Sequence, residues 1–170
     1  MRIYLIGYMG CGKSTIARSL ASKLGIEYVD LDRYVSDKQG QTVEEIFQEH
    51  GEEYFRELET SALEDLATVD NIVISTGGGT PCFNDNMKFI KNAGVSIYLK
   101  VDPNVLINRL LISHTVRPLI LNKSPEELNE YITMSLAMRE PFYEQANVTI
   151  ANPSRDVTKI IEILSYYRNN

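Results

Sequence analysis

The run Gly7-Tyr8-Met9-Gly10-Cys11-Gly12-Lys13-Ser14 constrains this chain more than any other feature. It matches the pattern G-x-x-x-x-G-K-[ST], follows the apolar run Ile3-Tyr4-Leu5-Ile6 and opens the helical pattern Thr15–Leu24. A strand, a glycine-rich turn and a helix in that order make a phosphate-binding loop. Glycine is needed because the loop turns its N–H groups inward around phosphate oxygens, while the helix behind it presents its positive end. The pattern assigns nucleotide phosphate contacts to Gly10, Cys11, Gly12, Lys13, Ser14 and Thr15. Lys13 reaches the β- and γ-phosphates and Ser14 is a ligand of Mg²⁺. Cys11 itself reads as a small side chain tolerated in the loop.

The remaining apolar runs are short and β-branched: Tyr28-Val29, Ile72–Ile74, Val95–Leu99 and Val148–Ile150, each separated from the next by a segment with helical spacing. Runs that are apolar on consecutive positions suit a parallel sheet covered on both faces, so the pattern predicts a three-layer α/β sandwich. Helix starts are expected at Thr42 with Glu45, at Ser124-Pro125 with Glu127, and at Asp102-Pro103. No repeat or linker divides the 170 residues, and one domain spanning 1–170 is expected. Within it lie a substrate-binding helical segment at about 31–61 and a candidate lid at about 112–123 carrying His114, Arg117 and Pro118. The net charge of −6 argues against a nucleic-acid partner. No run reaches membrane-spanning length, the start lacks the core of a signal peptide, and Cys11 and Cys82 are too few for a disulfide framework. A cytoplasmic protein with no membrane partner is expected.

A phosphate loop serves switches, ATPases and metabolite kinases alike. Asp37-Lys38-Gln39-Gly40 has the D-x-x-G spacing of a GTPase switch but follows a polar segment, and reads as a helix terminus. Asn122-Lys123-Ser124-Pro125 lacks the aspartate of a guanine-reading loop. Asp30-Leu31-Asp32, by contrast, ends the second strand, where ligands bind in open α/β sheets. In an extended segment its two carboxylates share a face, one toward a metal and one toward an acceptor hydroxyl, unless they form only a solvated acidic turn. Thr76-Gly77-Gly78-Gly79-Thr80 follows the third strand and permits close backbone approach, either as N–H donors to an anion or as a plain turn. On Glu52–Thr68, Phe55, Leu58, Ala62 and Leu66 form one stripe, with Arg56 and Glu59 on a neighbouring face. Arg56 and Arg139 are candidates for gripping a carboxylate. For Arg56, Glu52 at i−4 and Glu59 at i+3 offer a surface salt bridge instead.

In order and spacing, the phosphate loop, Asp30-x-Asp32, Gly51-Glu52, Phe55-Arg56-x-x-Glu59, Thr76-Gly77-Gly78-Gly79, Arg117-Pro118-Leu119 and Arg139-x-Pro141-x-Tyr143 resemble the shikimate kinase family. The resemblance runs from about Arg2 to Ile150. It implies a five-stranded parallel sheet in a P-loop, nucleoside monophosphate kinase-like α/β/α fold, and phosphoryl transfer from ATP to the 3-hydroxyl of shikimate by a monomer. It further implies Asp32 as the base and ring-hydroxyl ligand, Asp30 as a helper for Mg²⁺, and Arg56, Arg139 and the Gly77-Gly78-Gly79 region as the substrate grip. Arg117 would fold over the ATP phosphates. Val43, Phe47 and Phe55 match positions beside the substrate and equally fit core packing. Arg109, Asn152 and Pro153 are the candidates for adenine contacts, although Asn-Pro is also a helix-start signal. His50 and His114 read as surface or lid packing. Another P-loop metabolite kinase, of gluconate or nucleoside monophosphate type, and a non-catalytic nucleotide-binding module are the competing readings.

Overall fold

The structure is a computed structural model that describes residues 1–112, 120 and 122–168. Five strands, β1 (Arg2–Ile6), β2 (Glu27–Asp30), β3 (Ile72–Ser75), β4 (Val95–Lys100) and β5 (Val148–Ala151), form one all-parallel sheet in the order β2-β3-β1-β4-β5. Every residue of β3, all but the first of β1, and the middle four of β4 are buried, so helices cover both faces of the centre. The edge strands β2 and β5 keep partial exposure. All five apolar runs of the sequence are strands, and the layers are those expected.

The helices are α1 (Lys13–Leu24), α2 (Leu31–Gln39), α3 (Val43–Leu66), α4 (Asn86–Ala93), α5 (Pro103–Leu111), α6 (Pro125–Tyr143) and α7 (Thr158–Arg168), with a 3₁₀ turn at Thr80–Cys82. Thr42 and Ser124 each close a full capping box with Glu45 and Glu127, and Asp102 accepts from the N–H of Asn104. Gly40 ends α2 in the left-handed region at φ 67°, so the D-x-x-G spacing is a helix terminus as expected. Two local expectations change. The stretch around Arg56 belongs to a longer helix that begins at Val43 and breaks at Gly51, where φ is 82° and ψ 175°. Asn152-Pro153 starts no helix, because the Asn152 N–H is drawn to the Lys100 carbonyl at 2.8 Å, continuing the β4–β5 edge. Helix α7 begins six residues after Asn152, at Thr158, whose N–H donates to Asp156.

This order sends the loops after β1, β2 and β3, three neighbouring or near-neighbouring strands, to one end of the sheet. The phosphate loop, Asp30-Leu31-Asp32 and the triple glycine therefore share one crevice at the carboxyl ends of the strands. A separate cleft of about 150 Å³, lined by Met1, Leu24, Ile26, Asn71, Ile161, Leu164 and Ser165, lies at the opposite end and holds none of the candidate residues.

Candidate active site

The phosphate loop is built on glycines that no other residue replaces without strain. Gly12 precedes α1 at φ 99°, a left-handed conformation with ample space around it. Gly7, at φ 141°, has the opposite constraint: a Cβ there would lie 2.9 Å from the Leu99 carbonyl. Lys13 is buried in the loop it serves, its ammonium donating to the carbonyls of Gly7 (2.8 Å) and Tyr8 (3.0 Å). Cys11 is buried as well. Thr15, on the first turn of α1, is exposed. Arg109 reaches in from α5 and donates to the carbonyls of Gly10 (3.2 Å) and Cys11 (3.4 Å), bracing the loop from its outer side. Of the other adenine candidates, Asn152 is exposed at φ 47° and Pro153 half-buried, both just beyond the β5 end.

Asp30 sits where strand becomes helix. One carboxylate oxygen caps α2 by accepting from the Arg33 N–H, and the other accepts from Ser14 Oγ at 2.7 Å. Ser14 Oγ is also 3.3 Å from Ser75 Oγ. The alternation expected across Asp30-Leu31-Asp32 does not occur, because the extended segment ends at Asp30 and Asp32 lies in the first turn of α2. Both carboxylates nevertheless face the crevice.

Asp32 keeps partial exposure as a residue, but its Oδ1 is buried and, among the described residues, has no hydrogen-bond partner. Burial pushes its carboxyl up to about 7, Glu59 and Asp30 push it the same way, and Lys13 and Arg56 oppose them. A carboxyl poised near neutrality with a free oxygen in a crevice is equipped to accept a proton from a bound hydroxyl.

Arg56 was expected either in a substrate grip or in a surface salt bridge with Glu52 and Glu59, and its pair with Glu59 is not on the surface. Both side chains are buried, with Glu59 fully inaccessible. Arg56 donates to Glu59 at 2.6 Å and to Glu52 at 2.7 and 3.2 Å, while its guanidinium lies 4.5 Å over the Phe83 ring. Burial alone would lower the Arg56 pKa, but the two carboxylates outweigh it and hold the guanidinium charged. Three of its about five N–H groups are engaged, leaving the others for a ligand. Glu59 is raised by burial against the pull of Arg56, Thr80 and Arg139. Its other oxygen accepts from the Thr80 hydroxyl, tying α3 to the 3₁₀ turn after the triple glycine.

Of the three glycines, Gly77 and Gly79 are needed for space. None has a positive φ. A Cβ at Gly77 would meet Glu59 at 2.5 Å and Asp32 at 2.7 Å, and one at Gly79 would lie 2.6 Å from the Arg56 guanidinium. Gly79→Ala is therefore expected to cost about 1–3 kcal/mol through overpacking. Thermal unfolding would read this as a midpoint lower by about 2–10 °C. An unchanged midpoint would mean that Arg56 swings aside without resistance.

On the far wall Arg139, half-buried on α6, stacks over the Tyr8 ring at 5.5 Å and forms no ion pair with a described residue. A Cβ at Gly78 would be 3.7 Å from its guanidinium. Tyr143, fully buried one turn further along α6, donates its hydroxyl to the Gly78 carbonyl at 2.5 Å. Val43 and Phe47 pack against the core from the edge of the crevice, and Phe47 meets the buried Phe55 at 4.8 Å. His50 is exposed beside Tyr54. Arg117 and His114, with most of the candidate lid, lie outside the described residues.

Sequence spacing gave no role to Thr80, Tyr8 or Tyr143, and only that of a surface partner to Glu59; all four hold the candidate residues in place. Glu59 left a signal through its i+3 relation to Arg56, and Tyr143 through the Arg139-x-Pro141-x-Tyr143 pattern.

The all-oxygen pair of Ser14 Oγ and the Asp30 carboxylate fits Mg²⁺, which takes one or two protein oxygens and completes its shell with phosphates and water. Among the described residues no cluster of three or more His, Cys, Asp or Glu forms a self-contained metal cage.

The family model described as "Shikimate kinase" matches residues 9–165. A shikimate kinase of Bacteroides thetaiotaomicron is 47% identical over 146 residues, which are 86% of this chain and 83% of that protein. Among solved structures, a shikimate kinase from the same organism superposes with a TM-score of 0.92 at 42% identity, over 97% of this chain and 98% of the other. The shikimate kinase of Acinetobacter baumannii, solved in complex with shikimate, gives 0.86 at 34% identity over 98% and 93%. With a match that reaches from the phosphate loop into the last helix, and a fold shared along the whole length, the chain belongs to the shikimate kinase family.

Proposed function

We propose that the chain transfers the γ-phosphoryl group of ATP to the 3-hydroxyl of shikimate, giving shikimate 3-phosphate and ADP in the chorismate and aromatic amino acid pathway. Family membership supports the reaction. The observation that carries the assignment of roles is Asp32, whose buried Oδ1, unpartnered among the described residues, lies between the phosphate loop and the Arg56–Glu59 wall. On this reading the acceptor oxygen attacks the γ-phosphorus, its proton passes to Asp32, and the bond to the β–γ bridging oxygen breaks in line. Lys13 and Arg117 balance charge on the phosphoryl oxygens. Gly10, Cys11, Gly12 and Thr15 cradle the phosphates. Arg109, Asn152 and Pro153 flank the base.

The acceptor carboxylate would lie between Arg56 and Arg139, against the backbone of Gly77-Gly78-Gly79. A planar carboxylate is suited to guanidinium forks. Ser14 and Asp30 would hold Mg²⁺, which would supply positive charge to offset that of the phosphates. The chain would act as one domain over 1–170, with the acceptor segment at about 31–61 and a lid at about 112–123. Monomeric action in the cytoplasm accords with this reading. No helix among the described residues is long and apolar enough to cross a membrane.

The test is ADP release from Mg·ATP with shikimate, gluconate, AMP or no acceptor. Shikimate-dependent release at least a hundredfold above the acceptor-free rate is expected. Turnover with gluconate or AMP alone would mean a different metabolite kinase on the same scaffold. No turnover with any acceptor, together with retained nucleotide binding, would mean a binding module.

A further inference from the structure

Tyr8 occupies a variable position of the phosphate-loop pattern, and nothing in phosphate binding calls for a large aromatic there. Yet it is 1% exposed and makes contacts in two directions. Its backbone carbonyl accepts from the Lys13 ammonium at 3.0 Å and from the Cys11 N–H at 3.2 Å. Its side chain leaves the loop altogether and meets α6 at two places one turn apart. The hydroxyl pairs with Ser135 Oγ, and the ring face lies 5.5 Å from the Arg139 guanidinium. Ser135 Oγ is within 3.4 Å of the Ile132 carbonyl as a donor, which leaves its lone pairs to accept from Tyr8.

Arg139 forms no ion pair with a described carboxylate, so its guanidinium is held by neutral groups, the Tyr8 ring and the Tyr143 hydroxyl. The attraction of a cation to an aromatic face is directional enough to do so.

We infer that Tyr8 is a positioning residue for the acceptor: its ring and hydroxyl hold α6 and the Arg139 guanidinium at the place where the substrate carboxylate binds. One residue of the nucleotide loop thereby sets the geometry of the acceptor wall. The inference rests on the reading of Arg139 as a carboxylate ligand.

The experiment compares steady-state constants of the full chain for Tyr8→Leu, Tyr8→Phe and Ser135→Ala, each alone and with Arg139→Ala. Tyr8→Leu is expected to raise the KM for shikimate about tenfold while KM for ATP and kcat stay within about threefold. Tyr8→Phe and Ser135→Ala, which keep the ring, are expected to raise it about threefold. In the Arg139→Ala background none should add a further loss, since a residue acting through Arg139 has nothing left to position. With shikimate methyl ester, which lacks the carboxylate charge, Tyr8→Leu should match the parent within about twofold. Losses that add fully to those of Arg139→Ala, or an equal rise in KM for ATP, would overturn the inference and leave Arg139 as a ligand. An Arg139→Ala variant with unchanged KM for shikimate would instead overturn the ligand reading, and the inference with it. Should Tyr8→Leu not fold, unchanged constants in both Tyr8→Phe and Ser135→Ala would overturn the inference by themselves.

Discussion

Asp32→Asn is expected to lower kcat by about 10²–10⁴-fold, the range for removing a positioned general base. It should also make the protein more stable at high pH than at low pH relative to the parent. The native carboxyl has a pKa of about 7 against 3.8 for its ordinary value. Between those values the unfolded chain loses the proton and the native chain keeps it, so native stability falls as pH rises from about 4 to about 7 and then levels. The asparagine variant lacks this slope. Thermal midpoints measured in chelator, without nucleotide, should therefore show the variant gaining on the parent by roughly 5 °C between pH 5 and pH 8. A kcat within tenfold of the parent would remove Asp32 from the chemistry. A midpoint difference independent of pH would place its native pKa near that of an ordinary carboxylate.

Arg56→Ala is expected to raise the KM for shikimate by about a hundredfold and to destabilise the fold by about 3–5 kcal/mol, because it leaves Glu59 buried without its cation. The surface alternative makes a different forecast: an exposed pair is worth about 0–1 kcal/mol, and KM would not move. The two effects separate in a double variant. Adding Glu59→Gln removes the stranded charge and should restore much of the stability, while KM for shikimate stays high. Chemical denaturation reads the first and steady-state kinetics the second. A double variant no more stable than Arg56→Ala would mean that Glu59 is not the source of the loss.

Most of the fold and part of the site were legible in the sequence, for reasons that differ between elements. Local signals carried well. The capping boxes at Thr42 and Ser124 depend on residues three apart, and the phosphate loop on eight consecutive ones, so spacing alone determines them. The strands were readable because a sheet covered on both faces needs unbroken apolar runs. What spacing could not supply was depth. Arg56 and its two glutamates have the same i−4 and i+3 relation on a surface or in a core, and only the packing of the 3₁₀ turn and Phe83 over α3 decides between them. The triple glycine looked like a device for approaching a ligand, yet the nearest obstacles are the chain's own Asp32, Glu59 and Arg56 side chains. Tyr143 reaches Gly78 across 65 positions of sequence, a contact no local pattern announces.

The pairing of Arg56 with Glu52 and Glu59 also limits how much unpaired positive charge this wall of the crevice offers. Its own cation is already matched by two carboxylates. On this wall that leaves Arg139, which faces no described carboxylate at ion-pair distance, while the Asp32 carboxyl lies nearby. An acceptor with one carboxylate brings the charge that this wall lacks. One with a second anionic group on this wall would have to set it beside the Asp32 carboxyl, with no further unpaired cation there to offset it among the described residues. On the proposed reading, the buried ion pair that holds the wall together would thus also work as a valence filter, favouring an acceptor that brings a single negative charge to this wall.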